Sequence, residues 1–194
     1  MGTTRLEAFS DGVIAILITI MVLDLKIPHE PTWSALESQL PVFLTYALSF
    51  VFLGIYWNNH HHMFHLVKRV TGGVLWANLN LLFWLSLIPF TTGWMGENRF
   101  EPLPTAVYGA VLLAAALAYT ILQFTIVRHP DAGASLASAL GRNLKGKLSI
   151  VAYVVAIPSA FIHQWIADAL YIGVAAMWLI PDRRIESRVR AGAR

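Results

Sequence analysis

The sequence predicts an all-α integral membrane protein with six transmembrane helices per chain. Composition is the first ground: of 194 residues 57% are hydrophobic and 13% charged, about half the charged fraction of a soluble domain, and the mean hydropathy is +0.60. The second is a series of six apolar spans, and the third is the way basic residues alternate across them. The chain has no cysteine, which excludes disulfides and thiolate–metal chemistry. The net charge of +3 and pI near 9.4 could indicate nucleic acid, but the placement of basic residues in loops explains them better. No long linker, low-complexity tract or soluble domain interrupts the pattern. Residues 1–181 read as one membrane domain and residues 182–194 as a basic cytoplasmic tail.

The first span, residues 6–26, is uncharged from Gly12 to Leu23 and rich in Ile, Val and Leu. At about 1.5 Å per residue it reaches about 30 Å, the thickness of a bilayer's hydrocarbon core. It is not expected to be a signal peptide, because no basic n-region precedes it and no small-residue cleavage site follows. The second span begins near Trp33, is continuously apolar from Pro41, and runs to about Phe64. The third covers residues 72–94 and the fourth 103–127. The last two, 148–162 and 165–180, are separated only by His163 and Gln164. Together they are too long for one crossing, so a tight hairpin is expected. Pro89 and Pro158 fall inside spans three and five, where each is expected to kink its helix. No internal repeat supports an inverted-repeat transporter.

With the N-terminus in the cytoplasm, the inside segments hold Arg5, Lys68, Arg69, Arg128, Arg142, Lys145, Lys147, Arg183, Arg184, Arg188, Arg190 and Arg194. The outside segments hold only Lys26 and Arg99, beside Glu30, Glu37, Glu97, Glu101 and Asp168. Twelve basic residues against two is a strong positive-inside asymmetry. It predicts an even number of spans, both termini cytoplasmic, and a multi-pass protein of the cell membrane. The basic tail suits anionic headgroups.

Arg5, Phe9, Ser10 and Asp11 form R-x-x-x-F-S-D at the start of span one. An aspartate at the bilayer centre costs about 2.5–3.5 kcal/mol on insertion scales, and less near an interface. Asp11 and Ser10 are therefore expected to face protein or water, in a polar network joining helices. The alternative is an acid placed to suit the positive end of the helix dipole. At the end of span two stands Trp57-Asn58-Asn59-His60-His61-His62-Met63-Phe64. Taken together, R-x-x-x-F-S-D opening the first of six spans and a W-x-x-H-x-x-x-F run closing the second resemble the transmembrane protein 175 family, the lysosomal potassium channel and its prokaryotic relatives. The resemblance covers nearly the whole chain, and a single six-span repeat looks like a prokaryotic member. It implies a cation channel favouring potassium. It also implies a homotetramer whose first helices line a central pore, and the absence of the usual potassium filter; no T-V-G-Y-G run occurs.

Span one can be read independently of that resemblance. At 100° per residue Ile16, Ile20 and Leu23 lie within about 60° of one another, with Thr19 at the edge of the stripe and Val22 toward the back of the helix. Four copies would stack apolar rings beside a threonine ring. Such a constriction can gate by dewetting, while hydroxyls or carbonyls replace part of an ion's hydration shell. Periodicity alone favours ordinary core or lipid-facing surface, because an isoleucine stripe is common in any membrane helix. It is the resemblance that implies Ile16 as the constriction, with Thr19 and Leu23 as further pore positions.

His60, His61, His62 and His65 cluster at the end of span two. His61 and His65, at i and i+4, could share a metal, but no cysteine or acidic residue joins them. Side chains snorkelling to the interface are the commoner case, so no metal and no cofactor is expected. The resemblance implies instead that His60 bonds Asp11 or Ser10. Asn78 and Asn80 are intramembrane amides suited to bonding across helices. No P-loop, H-E-x-x-H or G-x-S-x-G motif appears, so nothing points to an enzyme. The expected activity is passive conduction of potassium ions, with lipids and further copies of the chain as partners. The alternatives are a proton-coupled secondary transporter using Asp11, Asp24 and His60, and a membrane enzyme or assembly subunit with a histidine metal site.

Overall fold

A computed structural model describes residues 3–64, 67, 70–128 and 144–179. These residues are helical apart from short connecting segments. The helices are α1 (Thr3–Ile20), α2 (Trp33–Glu37), α3 (Leu40–Phe64), α4 (Gly72–Ser86), α5 (Ile88–Glu97), α6 (Pro102–Val127), α7 (Leu144–Ile162) and α8 (Gln164–Leu179). Five stretches are long and apolar enough to cross a membrane: Thr3–Asp24, Leu40–Phe64, Gly72–Glu97, Pro102–Val127 and Leu144–Ile162. The apolar α8 is shorter. The expected spans are thus found, with local departures. His65, Lys68, Arg69, Arg142 and the tail 182–194 lie outside the described residues.

Each departure has a local cause. Span three divides at Leu87 into α4 and α5, with Pro89 in the first turn of α5. Proline lacks the N–H for an i−4 bond and clashes with that carbonyl, so it begins a helix more readily than it continues one. Pro158, by contrast, lies inside α7, which runs on without a break. The start of span two is a separate helix, α2, capped by Thr32, whose hydroxyl oxygen accepts from the Ala35 amide at 3.3 Å. The last two spans form the hairpin expected of them, turning at His163 alone.

The α5–α6 turn closes without glycine. The Phe100 amide donates to the Met95 carbonyl at 3.0 Å and the Arg99 amide to Gly96 at 3.1 Å, the paired bonds of a Schellman ending. Arg99 and Phe100 both take left-handed backbone, at φ 49° and 63°, a conformation costing about 1–2 kcal/mol for a side-chain-bearing residue. Phe100 offsets part of that by packing on Trp165, with ring centroids 5.7 Å apart.

The centre of the bundle is α6, which packs against α4, α5, α7 and α8. Its buried Ala106, Gly109, Ala115 and Ala118 let neighbouring backbones approach, as small residues do in membrane bundles. Gly109 admits the Tyr171 hydroxyl into space a Cβ would occupy, and that hydroxyl donates to the Thr105 carbonyl at 3.1 Å. Gly96 does the same for α3: a Cβ there would lie 2.8 Å from the Val42 Cα. Ser49 ties α3 to α5 and α6, with Thr92 Oγ1 at 2.6 Å and the Tyr108 hydroxyl at 2.9 Å. Helix α1 packs on α3, α4 and α5, which sets the stage for its free face.

Candidate pore helix and its polar anchor

Helix α1 has two unlike faces. Leu6, Ser10, Ile14, Leu17 and Met21 are buried, at the i, i+3 and i+4 steps of a packed stripe. The opposite stripe is open: Ile16 is 61% exposed, Ile20 47% and Leu23 77%, with Phe9, Gly12 and Thr19 also exposed. After Ile20 the chain tightens into a 3-10 turn, Met21–Asp24. Residues three apart eclipse in such a turn, so Leu23 stays above Ile20. Val22, expected toward the back of the helix, is 46% exposed. The assumption of 100° per residue fails once the last turn winds at about 120°.

Thr19 has a feature of chemical interest. Its hydroxyl donates to the Ala15 and Ile16 carbonyls, both at 3.0 Å. With the proton committed to the backbone, the oxygen turns its lone pairs outward, the arrangement a cation ligand needs.

The buried face is anchored by polar residues. Ser10 Oγ–H donates to the Leu6 carbonyl at 2.9 Å, and Asn78 Nδ2 donates to Ser10 Oγ at 2.9 Å. Asn78 Oδ1 lies 2.7 Å from His60 Nε2. That oxygen can only accept, so His60 carries a proton on Nε2. Its Nδ1 is buried and has no partner among the described residues. The chain Ser10–Asn78–His60 thus bolts α1 to α4 and α3, and the His60 ring packs on Phe64 with centroids 4.5 Å apart.

Asp11 is anchored separately. Trp57 Nε1–H donates to Asp11 Oδ1 at 3.0 Å, and the Trp57 ring stacks on His61. The two sequence motifs therefore meet, but with other pairings than expected. His60 reaches Ser10 only through Asn78, and Asp11 bonds Trp57. Arg5 and Phe9 are exposed, and among the described residues no hydrogen bond joins Arg5 to the network. Asp24 stands at the other end of the span, its Oδ2 3.2 Å from where a Gly93 Cβ would be. Beside it Lys26 Nζ donates to Glu97 Oε1 at 2.7 Å, a hydrogen bond that raises the lysine's pKa. Of the three residues named for proton coupling, Asp11 bonds Trp57 and His60 bonds Asn78, while Asp24 stands at the far end of the span from both. Among the described residues no group of three or more His, Asp or Glu side chains is placed to hold a metal.

Asn78 is the member that the motifs do not contain; its only sequence signal is an amide inside an apolar run. Asp168 is a second surprise. Expected in an outside segment, it is 6% exposed, and both its carboxylate oxygens, like Thr105 Oγ1, lack a partner among the described residues.

Residues 5–89 match the model of the endosomal/lysosomal potassium channel TMEM175 family. The chain is 51% identical to a potassium channel of Chryseobacterium sp. (strain P1-3), over 98% of this chain and 99% of that protein. The chain belongs to the TMEM175 family. It is also 34% identical to a potassium channel of Streptomyces collinus, over 90% of this chain and 89% of the relative. Its fold is similar to the crystal structure of a lysosomal potassium-selective channel TMEM175 homolog from Chamaesiphon minutus. The TM-score is 0.81 at 28% identity, over 92% of this chain and 96% of the other. Membership makes this a multi-pass membrane protein of a channel family, not of an enzyme family. The matched residues 5–89 include both motifs and Asn78.

The two aspartates of span one differ in setting, and their variants should differ too. Asp11→Ala strips the Trp57 indole of its acceptor at a helix contact, whereas Asp24→Ala removes an exposed carboxylate. Asp11→Ala is expected to lower the yield of assembled, conducting protein several-fold more than Asp24→Ala, read by size exclusion and by ion flux. Equal behaviour of both variants would remove the Asp11–Trp57 bond from the account.

Proposed function

We propose that this protein is a potassium-permeable cation channel that conducts passively through a central pore lined by α1 of four identical chains. The observation that carries the reading is the open apolar stripe on α1, Ile16, Ile20 and Leu23, on a helix whose other face is fixed by Ser10 and Asp11. Single transmembrane helices can leave apolar faces to lipid, but the stripe lies on the helix that the two family motifs hold in place. In this reading Ile16 forms the narrowest ring and Thr19 offers hydroxyl oxygens next to it. Ile20 and Leu23 continue the wall toward the Asp24 end. An ion crossing the Ile16 ring has to shed water where no polar ligand replaces it, so that ring is both gate and filter. Residues Arg5, Phe9, Ser10, Asp11, Trp57 and His60 form the structural and gating layer at the opposite end of α1. No cofactor takes part, and potassium is the permeant ion. Four copies of the chain and the surrounding lipids are the partners.

The test is a planar-bilayer recording of the purified protein under opposed potassium and sodium gradients. Unitary current steps with a reversal potential that follows potassium support a channel. A reversal potential that moves with pH, without unitary events, supports the transporter using Asp11, Asp24 and His60 instead.

The orientation proposed with it places both termini in the cytoplasm. Cysteines introduced at His29 and at Ala191 are expected to react with an impermeant thiol reagent from opposite sides of sealed vesicles. Labelling of both from one side would refute that orientation.

A further inference from the structure

Four buried side-chain nitrogen or oxygen atoms lack a partner among the described residues, and three of them are Thr105 Oγ1 and the two carboxylate oxygens of Asp168. Asp168 stands one turn into α8 from the hairpin at His163, and Thr105 lies in the first turn of α6. Tyr171 brings the two together. It follows Asp168 by three residues, so both side chains share a face of α8 and lean toward its N-terminus. Its hydroxyl reaches the Thr105 carbonyl at 3.1 Å. Asp168 is also within electrostatic reach of Tyr108 and Tyr171. No part of the proposed conduction path uses this place.

The hydroxyl protons of the neighbouring residues are committed. Thr92 donates to the Ile88 carbonyl at 2.7 Å. Ser49, 2.6 Å away, therefore donates to Thr92, and Tyr108 at 2.9 Å donates to Ser49, since each hydroxyl has one proton. Tyr171 donates to Thr105. A helix N-terminus suits an acid, but that of α6 offers few donors. Pro102 and Pro104 have no N–H, and the Thr105 amide donates to the Glu101 carbonyl at 3.1 Å. Helix α8 packs on α3, α6 and α7. Their ionisable side chains are Tyr46, Tyr56, His60, His61 and His62 on α3, Tyr108 and Tyr119 on α6, and Lys145, Lys147 and Tyr153 on α7. The histidines and lysines stand at the ends of their helices away from Asp168. At the hairpin end Arg99, Glu101 and His163 are exposed, and Lys26 is paired with Glu97. An ionised Asp168 is thus a buried charge with neither counterion nor donor, the costliest state for a carboxyl. A carboxylic acid both donates and accepts, and the Thr105 hydroxyl can do the same in return. A metal cation needs more oxygens than these three, whereas a proton needs none.

We propose that Asp168 is a proton-binding site, held as a neutral carboxylic acid in the folded chain, and that this proton locks α8 against α6. The proton comes from water at the hairpin end and returns there. Unfolding exposes the side chain to water, where a carboxyl ionises above about pH 4, so above that pH folding takes up a proton. Acid therefore favours the folded chain. The stabilisation is complete below about pH 4 and is lost as the pH rises through the point at which the folded chain releases the proton.

The test is the pH dependence of unfolding of the full chain in mixed micelles, parent against Asp168→Asn. The amide is neutral at every pH and keeps both a donor and an acceptor. The folding equilibrium constant of the parent is expected to fall relative to that of the variant by up to tenfold for each pH unit above about pH 4, until the folded chain gives up its proton. The comparison with the variant cancels Asp24, His60 and every other titrating group. Equal pH dependence of the two chains overturns the proposal. So does a variant that fails to fold, because a neutral side chain of the same shape then cannot replace Asp168 and the fold requires its charge. Stabilisation by sodium or potassium chloride over choline chloride at one pH, present in the parent and absent in the variant, assigns the carboxylate to a metal cation and overturns it too. None of these readouts depends on ion conduction.

Discussion

Ile16→Asn is expected to raise potassium current by about tenfold or more, the factor that removing ~1.4 kcal/mol of barrier produces. In the proposed tetramer Ile16 forms the narrowest ring, and its β-branched side chain offers an ion nothing in exchange for water. An amide of similar size lets water remain in the constriction, so the dehydration barrier falls. Selectivity over sodium is expected to fall with it, to the extent that the smaller, more strongly hydrated ion was held back by that barrier. Thr19→Ala tests the neighbouring position. Its hydroxyl proton is already donated to the backbone, so losing the oxygen removes lone pairs that face the path and little helix stability. Selectivity is expected to drop with only a small change in the closed state. A control needs the same exposure without a place in the pore. Val151 on α7 is 59% exposed, matching Ile16, and Val151→Asn is expected to leave current unchanged. Equal currents from Ile16→Asn and the parent, in tetramers of normal stability, would place the conduction path elsewhere.

The comparison of Ile16 with Val22 shows what the sequence could and could not convey. Hydropathy located the five helices long and apolar enough to cross a membrane, because a bilayer imposes a minimum apolar length that few other constraints mimic. The stripe of Ile16, Ile20 and Leu23 was legible for as long as α1 kept 3.6 residues per turn. The exposure of Val22 was not legible, because the helix tightens at Met21, a change that satisfies late carbonyls locally, as in the 3.1 Å bond from the Leu25 amide to Val22, and leaves no mark in residue type. Pro89 and Pro158 look alike in sequence. One starts a helix and the other is carried through, and the surrounding packing decides between those outcomes. The anchor was legible only in its parts. Ser10, Asp11, Trp57 and His60 were recognisable as polar residues needing partners, but the pairing of Ser10 with Asn78 spans 68 residues and depends on how α1 and α4 meet. Charge patterning assigned Asp168 a side of the membrane but carried no sign that its side chain would be buried at 6% exposure.

That long-range pairing leads to the second large effect. Asn78→Leu is expected to destabilise the protein by about 1–3 kcal/mol, the cost of leaving a buried donor without its acceptor. The average side-chain bond in a membrane bundle is worth less, about 0.6 kcal/mol, because the membrane-unfolded reference state also finds partners. The larger value is expected here because one amide serves two helices. Its loss leaves His60 Nε2–H unpaired beside a ring whose Nδ1 already lacks a partner among the described residues. Ser10 suffers less, since its hydroxyl still donates to the Leu6 carbonyl. The cost should therefore fall mainly on His60, and a double-mutant cycle can show it. His60→Phe alone removes the ring nitrogens but leaves Asn78 Oδ1 without its donor. Combined with Asn78→Leu, it removes both partners and leaves an apolar contact against Phe64. The double variant is expected to be less destabilised than the two single effects added together, by about 1 kcal/mol or more. Denaturant-induced unfolding in mixed micelles measures all four corners. Strict additivity would show that His60 and Asn78 contribute independently, and the network would then be packing rather than a hydrogen-bonded bolt on the pore helix.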